Sequence, residues 1–286
     1  MAALSASVVA ITVAAGLLAP LVAPHDPYDV HMELRYASPS WAYWLGNDQL
    51  GRCVLSRLIY GIRPSVLWVF VALASSVGIG AVVGFVAGYF KKRTDAILMR
   101  ICDAMLSFPG YVMTLAVIGV MGVGLKNIVI AIILSKWAWF ARVIRTSVLQ
   151  YADSDYVRFS KAIGVSDFVI MARHIVPVSL PDIAVVSSSA FGSMILQLSG
   201  FSFLGLGVQA PNPEWGMMLN EARGVMFSRP ELMLAPGLAM MIVVAAMNFL
   251  SDALQTALDP RLSSSRRKPH KHAESPAGTI PGREVA

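Results

Sequence analysis

Lys136 lies in Ser135-Lys136-Trp137-Ala138-Trp139, near the middle of an apolar run. An ammonium group at that depth needs a hydrated cavity or a counter-charge to stay ionised. On another apolar run Ser189, Ser193 and Gln197 recur every fourth residue, with Ser188, Ser199 and Ser202 nearby, so one helical face offers hydroxyls and an amide. Two readings stay open for each. Lys136 either lines a pathway, where it can meet an anionic group, or pairs with an acid on another chain. The serine face either lines a pore or lets helices pack closely in lipid.

His25, Asp26, Asp29 and His31 form a histidine–carboxylate cluster of a kind that suits nickel or cobalt, and His270 with His272 forms another pair. Pro24 and Pro27 make the first cluster an ordinary turn, and the second is a solvated tail, so no metal site is assigned at either place. No catalytic residue is assigned either. The sequence holds no Gly-x-x-x-x-Gly-Lys-Ser/Thr run to cradle nucleotide phosphates, no Gly-x-Ser-x-Gly, no His-Glu-x-x-His and no Cys-x-x-Cys. This chain is not an ATPase by itself.

The elements that must hold these residues are membrane helices. Hydrophobic residues make up 56% of the 286, charged residues 14%, and the mean hydropathy is +0.63, far from the balance of a soluble domain. Runs of about 20 apolar residues cross the hydrocarbon core as helices. They are expected at Ala2–Ala23, Val66–Phe90, Ile101–Val123, Asn127–Leu149, Asp182–Val208 and Leu232–Leu258. The expected fold class is therefore all-α, a polytopic membrane protein with six transmembrane helices. Leu21-Val22-Ala23 loosely resembles a signal cleavage site, but no Lys or Arg precedes the first apolar run, and it is read as an anchor. That lack of basic residues also suggests a natural start further upstream.

Lys and Arg asymmetry sets the orientation. With an internal N-terminus, fifteen basic residues fall inside: Lys91, Lys92, Arg93, Arg100, Arg142, Arg145, Arg158, Lys161, Arg173, Arg261, Arg266, Arg267, Lys268, Lys271 and Arg283. Seven fall outside: Arg35, Arg52, Arg57, Arg63, Lys126, Arg223 and Arg229. Both termini are expected in the cytoplasm. The formal charge of +6 is then a topology signal and an attraction to anionic lipid, with no need for nucleic acid. Cys53 and Cys102 fall on opposite sides and cannot bridge. Residues 1–65 read as an anchor and outer loop, 66–262 as the membrane domain, and 263–286 as a disordered basic tail.

Between the fourth and fifth runs lies a polar, basic segment, Ser154 to Pro181. Tyr156, Phe159 and Ile163 share a helical stripe; Phe168, Met171 and Ile175 repeat the spacing after Gly164. Two short amphipathic helices are expected, the first ended by Gly164, the second capped by Ser166 or Asp167 and stopped by Pro177 and Pro181.

This segment, with Gly164 and His174-Ile175-Val176-Pro177, resembles the cytoplasmic coupling loop of binding-protein-dependent ABC importer permeases. Arg158-Phe159-Ser160 stands where that family has Glu-Ala-Ala, and His174 where it has Ile, departures seen in its peptide and nickel branch. Leu45-Gly46-Asn47-Asp48-Gln49-Leu50-Gly51-Arg52, Gly61-Ile62-Arg63-Pro64-Ser65, Phe201–Gly207 and Pro213-Glu214-Trp215-Gly216 resemble the C-type permeases for dipeptides, oligopeptides and nickel. Ser135–Arg142 and Leu219-Asn220-Glu221-Ala222-Arg223 look most like nickel permeases, including those for opine metallophores.

The resemblance implies the type I ABC importer permease fold and a pathway formed with a homologous second permease. It also implies two ATP-binding subunits that carry ATP and Mg, and an extracytoplasmic substrate-binding protein. Phe159, Ile163, Gly164, Phe168, Met171, His174 and Pro177 are the expected ATPase-coupling residues, and Lys136, Ser189, Ser193 and Gln197 the expected pathway residues. The competing readings of these apolar coupling positions and of the chain are an interfacial helix on the lipid surface, a peptide importer, and an ATP-independent secondary transporter or channel.

Overall fold

The computed structural model describes residues 2–258, and among these there is no β-sheet, only an isolated antiparallel bridge between Asn47 and Cys53. Helix α1 is Ala2–Leu17, α2 Val54–Phe90, α3 Lys92–Leu106, α4 Gly110–Met121 and α5 Leu125–Ala152. They are followed by α6 Asp155–Ala162, α7 Asp167–Phe203, α8 Trp215–Ala222 and α9 Glu231–Leu258. Helices are the expected solution, because hydrocarbon offers no partner for an open backbone.

Among the described residues α2, α5, α7 and α9 are each long and apolar enough to cross a membrane. The expected count of six is not met by straight spans. The third run does not form one helix: α3 and α4 meet at 80° across Ser107-Phe108-Pro109. Pro109 donates no backbone hydrogen bond and pushes Phe108 out of the helical region, so the helix ends and restarts there. The first run gives α1, whose 16 residues reach about 24 Å, short of the roughly 30 Å hydrocarbon core. Its last carbonyls, on Gly16 and Leu17, accept from the Arg63 guanidinium at 2.7 and 2.9 Å. A cation at a helix C-terminus complements the helix dipole, and the chain turns there.

Several prolines lie in helices that run on past them, among them Pro177 and Pro181, which were expected to stop one. The second span begins at Val54 rather than Val66, and α2 passes Pro64 by widening to a π-turn over Arg63–Leu67, where Trp68 N–H donates five residues back to Arg63 O. The same device carries α7 past Pro177: Met171–Ile175 is a π-turn, with Val176 N–H on Met171 O, and Pro181 lies inside the continuing helix. A π-turn shifts the hydrogen-bond register by one residue, so a missing N–H need not end the helix.

The core is built on α2 and α5. Gly80, Gly84 and Gly88 form a stripe on α2, where an added Cβ would stand 2.9 Å from Trp137 O, 2.7 Å from Ala141 O and 2.7 Å from Val148 Cγ1 respectively. Small residues at every fourth position let two backbones approach where lipid supplies no hydrophobic drive. At one end of the pair Arg145 holds Asp95 of α3 through two bonds of 2.5 Å, and Arg142 pairs with Asp103. Helix α9 packs on α7 and also carries α1. The tail from Ser263, with His270 and His272, lies outside the described residues.

Candidate functional site

Three groupings of polar or exposed residues stand out, and the helices place them at different levels of the bundle. The first is the segment between α5 and α7. Helix α6 carries Asp155 in its first turn and Lys161 in its last, both matched to its dipole. It ends in a paired capping motif: Val165 N–H donates to Ser160 O, and Gly164 N–H to Lys161 O, both at 3.1 Å. The motif needs Gly164 at φ +81°, where a side chain would be strained. Ser166 then occupies the N-cap position of α7, with no side-chain bond from its own hydroxyl.

Val157, Ile170 and Ile175 face inward and are fully buried, whereas Phe159, Ile163 and Phe168 are exposed at 66%, 62% and 75%. Of the other expected coupling residues, Met171 is packed against the core, His174 lies 6.0 Å from the Tyr156 ring, and Pro177 sits within α7. The segment is tied back to α2. Tyr89 hydroxyl donates to Asp167 Oδ1 at 2.5 Å, Lys161 Nζ lies 4.3 Å from the Tyr89 ring centroid, and Lys91 Nζ bonds Asp153 Oδ1 at 2.6 Å. The Lys91 bond holds the Asp153 carboxyl below the usual carboxylate range.

The second grouping is a cavity of about 500 Å³ between α5, α7 and the bend at Pro109. Lys136 and Trp139 enter from α5, Ser189 and Ser193 from α7, and Phe108 and Pro109 form the bend. Three of the four expected pathway residues thus share one wall system. Gln197 does not join them. It is buried, and its Nε2 donates to Thr114 Oγ1 at 3.1 Å; Thr114 in turn lies 3.4 Å from Ser135 Oγ on the cavity lining.

The third grouping joins motif stretches to which the sequence assigns no contact. At the opposite end of the bundle from α6, Arg52 and Arg57 are 1% exposed and share two carboxylates. Asp48 Oδ2 lies 2.7 Å from Arg52 Nε and 3.4 Å from Arg57 Nε, while Glu221 Oε2 lies 3.1 and 2.7 Å from their Nη2 atoms. Beside this square, Glu214 caps α8. Its Oε1 accepts from Ser65, Ser199 and Gly216 N–H at 2.9, 3.2 and 2.9 Å, and its Oε2 from Met217 N–H at 2.9 Å. Burial outweighs these donors and pushes the Glu214 carboxyl above its ordinary range. Gly216 leaves no room for a side chain, since a Cβ would stand 2.1 Å from Ser199 O. The available signal was four charges next to apolar runs in a chain with few charges.

The histidine–carboxylate cluster disperses into local contacts. His31 sits between Asp29 and Glu33 at 3.0 and 3.4 Å, and His25 stacks on Tyr43 at 4.4 Å. Among the described residues no three His, Cys, Asp or Glu side chains are grouped to hold a metal ion. Cys53 and Cys102 are both free and buried.

A sequence profile for the binding-protein-dependent transport system inner membrane component family matches residues 80–264. The metal-staphylopine import system permease protein CntC of Staphylococcus aureus (strain NCTC 8325 / PS 47) is 58% identical over 92% of this chain and 91% of its own length. The glutathione transport system permease protein GsiD of Pectobacterium atrosepticum is 40% identical, over 83% and 80%. The nickel transport system permease protein NikC of Escherichia coli (strain K12) is 39% identical, over 84% and 86%. In fold, a chain of the inward-facing MetNI methionine ABC transporter superposes with a TM-score of 0.58 at 15% identity, covering 71% of this chain and 96% of that one.

Proposed function

Because the chain belongs to the binding-protein-dependent transport system inner membrane components, with the type I ABC importer permease fold, we propose that it is one wall of an ATP-driven import pathway for nickel, cobalt or zinc, free or chelated by a metallophore. It is a transport component of the membrane rather than an enzyme. The observation that carries the substrate is likeness to a metal-staphylopine permease along nearly the whole chain. A homologous permease completes the pathway, two ATP-binding subunits hold ATP and Mg, and an extracytoplasmic binding protein delivers the cargo; this chain binds no cofactor.

The exposed face of Phe159, Ile163 and Phe168 supports docking to an ATPase groove. Gly164, Met171, His174 and Pro177 shape and anchor that face. Charge asymmetry supports both termini and this segment lying in the cytoplasm. Lys136, Ser189 and Ser193 then line the pathway, with Gln197 bracing its wall.

Likeness to a glutathione permease and to a dipeptide permease, DppC of Alkalihalophilus pseudofirmus, supports a second reading, import of small peptides by the same machine. Uptake of labelled nickel, with and without staphylopine, against a labelled dipeptide in a strain lacking this chain separates the two. Loss of nickel uptake is expected. Loss of dipeptide uptake alone would overturn the metal assignment.

A further inference from the structure

The cavity at the bend holds one charged group, the Lys136 ammonium, and among the described residues it makes no ion pair and no side-chain hydrogen bond. Other cations on the spanning helices are treated differently. Arg142 and Arg145, on the same helix, each meet a carboxylate, and Arg57 of α2 meets two. Lys136 is thus a cation left uncompensated in a spanning helix, at a place where the usual compensation is a partner or a water-filled path. Across the cavity the Ser189 hydroxyl also has no partner within the described chain.

An ammonium and a free hydroxyl on facing walls are the donors a carboxylate takes. The same ammonium repels a bare divalent cation, and more strongly in a partly dehydrated cavity than in bulk water. The size agrees. A six-water shell around an ion fills about 180 Å³ at roughly 30 Å³ per water, whereas the cavity of about 500 Å³ is that of a small organic ligand.

We propose that Lys136, assisted by Ser189, is a charge filter that receives a carboxylate of the cargo, so that the pathway passes metal as an anionic organic chelate and rejects the free divalent ion. This rests on the metal-import reading above and narrows its substrate to the chelate.

The test uses the complete importer, with second permease, ATP-binding subunits and binding protein, in sealed vesicles with nickel–staphylopine as probe. The readouts are nickel moved per ATP hydrolysed and basal ATP hydrolysis. Lys136→Met is expected to lower nickel moved per ATP about tenfold or more, Ser189→Ala to lower it less, and Lys136→Arg to keep most of it. Undiminished transport per ATP in Lys136→Met overturns the filter. So does a parallel fall of complex yield and basal hydrolysis that Lys136→Arg restores, because the lysine would then be holding the partner permease. If the unmodified importer moves a dipeptide but no nickel–staphylopine, the metal reading falls and the filter with it. Transport by the unmodified importer with an unaffected Lys136→Met removes the filter alone.

Discussion

Tyr89 in the last turn of α2 donates its hydroxyl to Asp167 in the first turn of α7 at 2.5 Å, while its ring receives Lys161 of α6. One side chain thereby binds both halves of the exposed segment to a spanning helix. Under the proposed coupling, displacement of α6 by an ATPase loads this contact together with the Lys91–Asp153 pair and the chain links to α5 and α7.

Tyr89→Phe keeps the ring and the cation contact but removes the hydroxyl. The variant should lose about 1.5–3 kcal/mol of local attachment, the range for a hydrogen bond to a charged group. Uptake per ATP hydrolysed should fall several-fold with normal levels in the membrane. An unchanged ratio would show that the contact transmits nothing.

Gly164 has open space around its Cβ position and φ +81°, so a substitution there is opposed by backbone strain and not by a clash. Gly164→Val should cost about 1–2 kcal/mol, leave the protein in the membrane and abolish uptake; Gly164→Asn should retain more. Uptake assays beside membrane immunoblots decide, and normal uptake by the valine variant would remove the docking role.

Phe168, 75% exposed, contributes little to the fold of this chain alone. Phe168→Ser is expected to leave the thermal transition in detergent within about 0.5 kcal/mol, as for a surface change, while the ATP-binding subunit no longer co-purifies. Retained co-purification would instead favour an interfacial helix lying on lipid.

Gly84→Val forces a side chain against Ala141 O at 2.7 Å and Arg145 N at 3.0 Å. Overpacking of this kind costs about 1–3 kcal/mol, read as a lower melting temperature. Gly78→Ala, on the same helix with nothing within 4 Å, is the control and should not destabilise.

Glu221→Ala leaves Asp48 facing two guanidinium groups that are 1% exposed. Breaking a buried ion pair costs about 3–5 kcal/mol, because the remaining charges stay buried. Folded yield should collapse, and a near-native melting temperature would mean that water reaches the network.

Much of the membrane architecture was legible because lipid imposes a length and an apolar composition that a sequence displays directly. Gly164 was legible for a similar reason, since its conformation belongs to one residue and its neighbours. The bend at Pro109 and the passages at Pro64 and Pro177 were not, because a proline can either break a helix or be absorbed by a π-turn, and the packing around it decides. Of the proposed pathway residues, Ser189 and Ser193 share a helical face that spacing alone reveals. Gln197 is drawn inward by Thr114, a residue 83 positions away, and no local pattern records that. The arginine–carboxylate square joins stretches 164 and 169 positions apart, so its parts could be read but not its closure.

Tyr89 and Arg57 belong to the same helix, because the π-turn at Arg63–Leu67 lets α2 run on past Pro64. The 32 residues between them span about 48 Å at 1.5 Å each. A single strut therefore has the exposed segment at one tip and the buried arginine square near the other, with a glycine-lined seam to α5 fastened along its shaft. Tilting one tip must swing the other, and the seam makes α5, with Lys136 on it, swing as well.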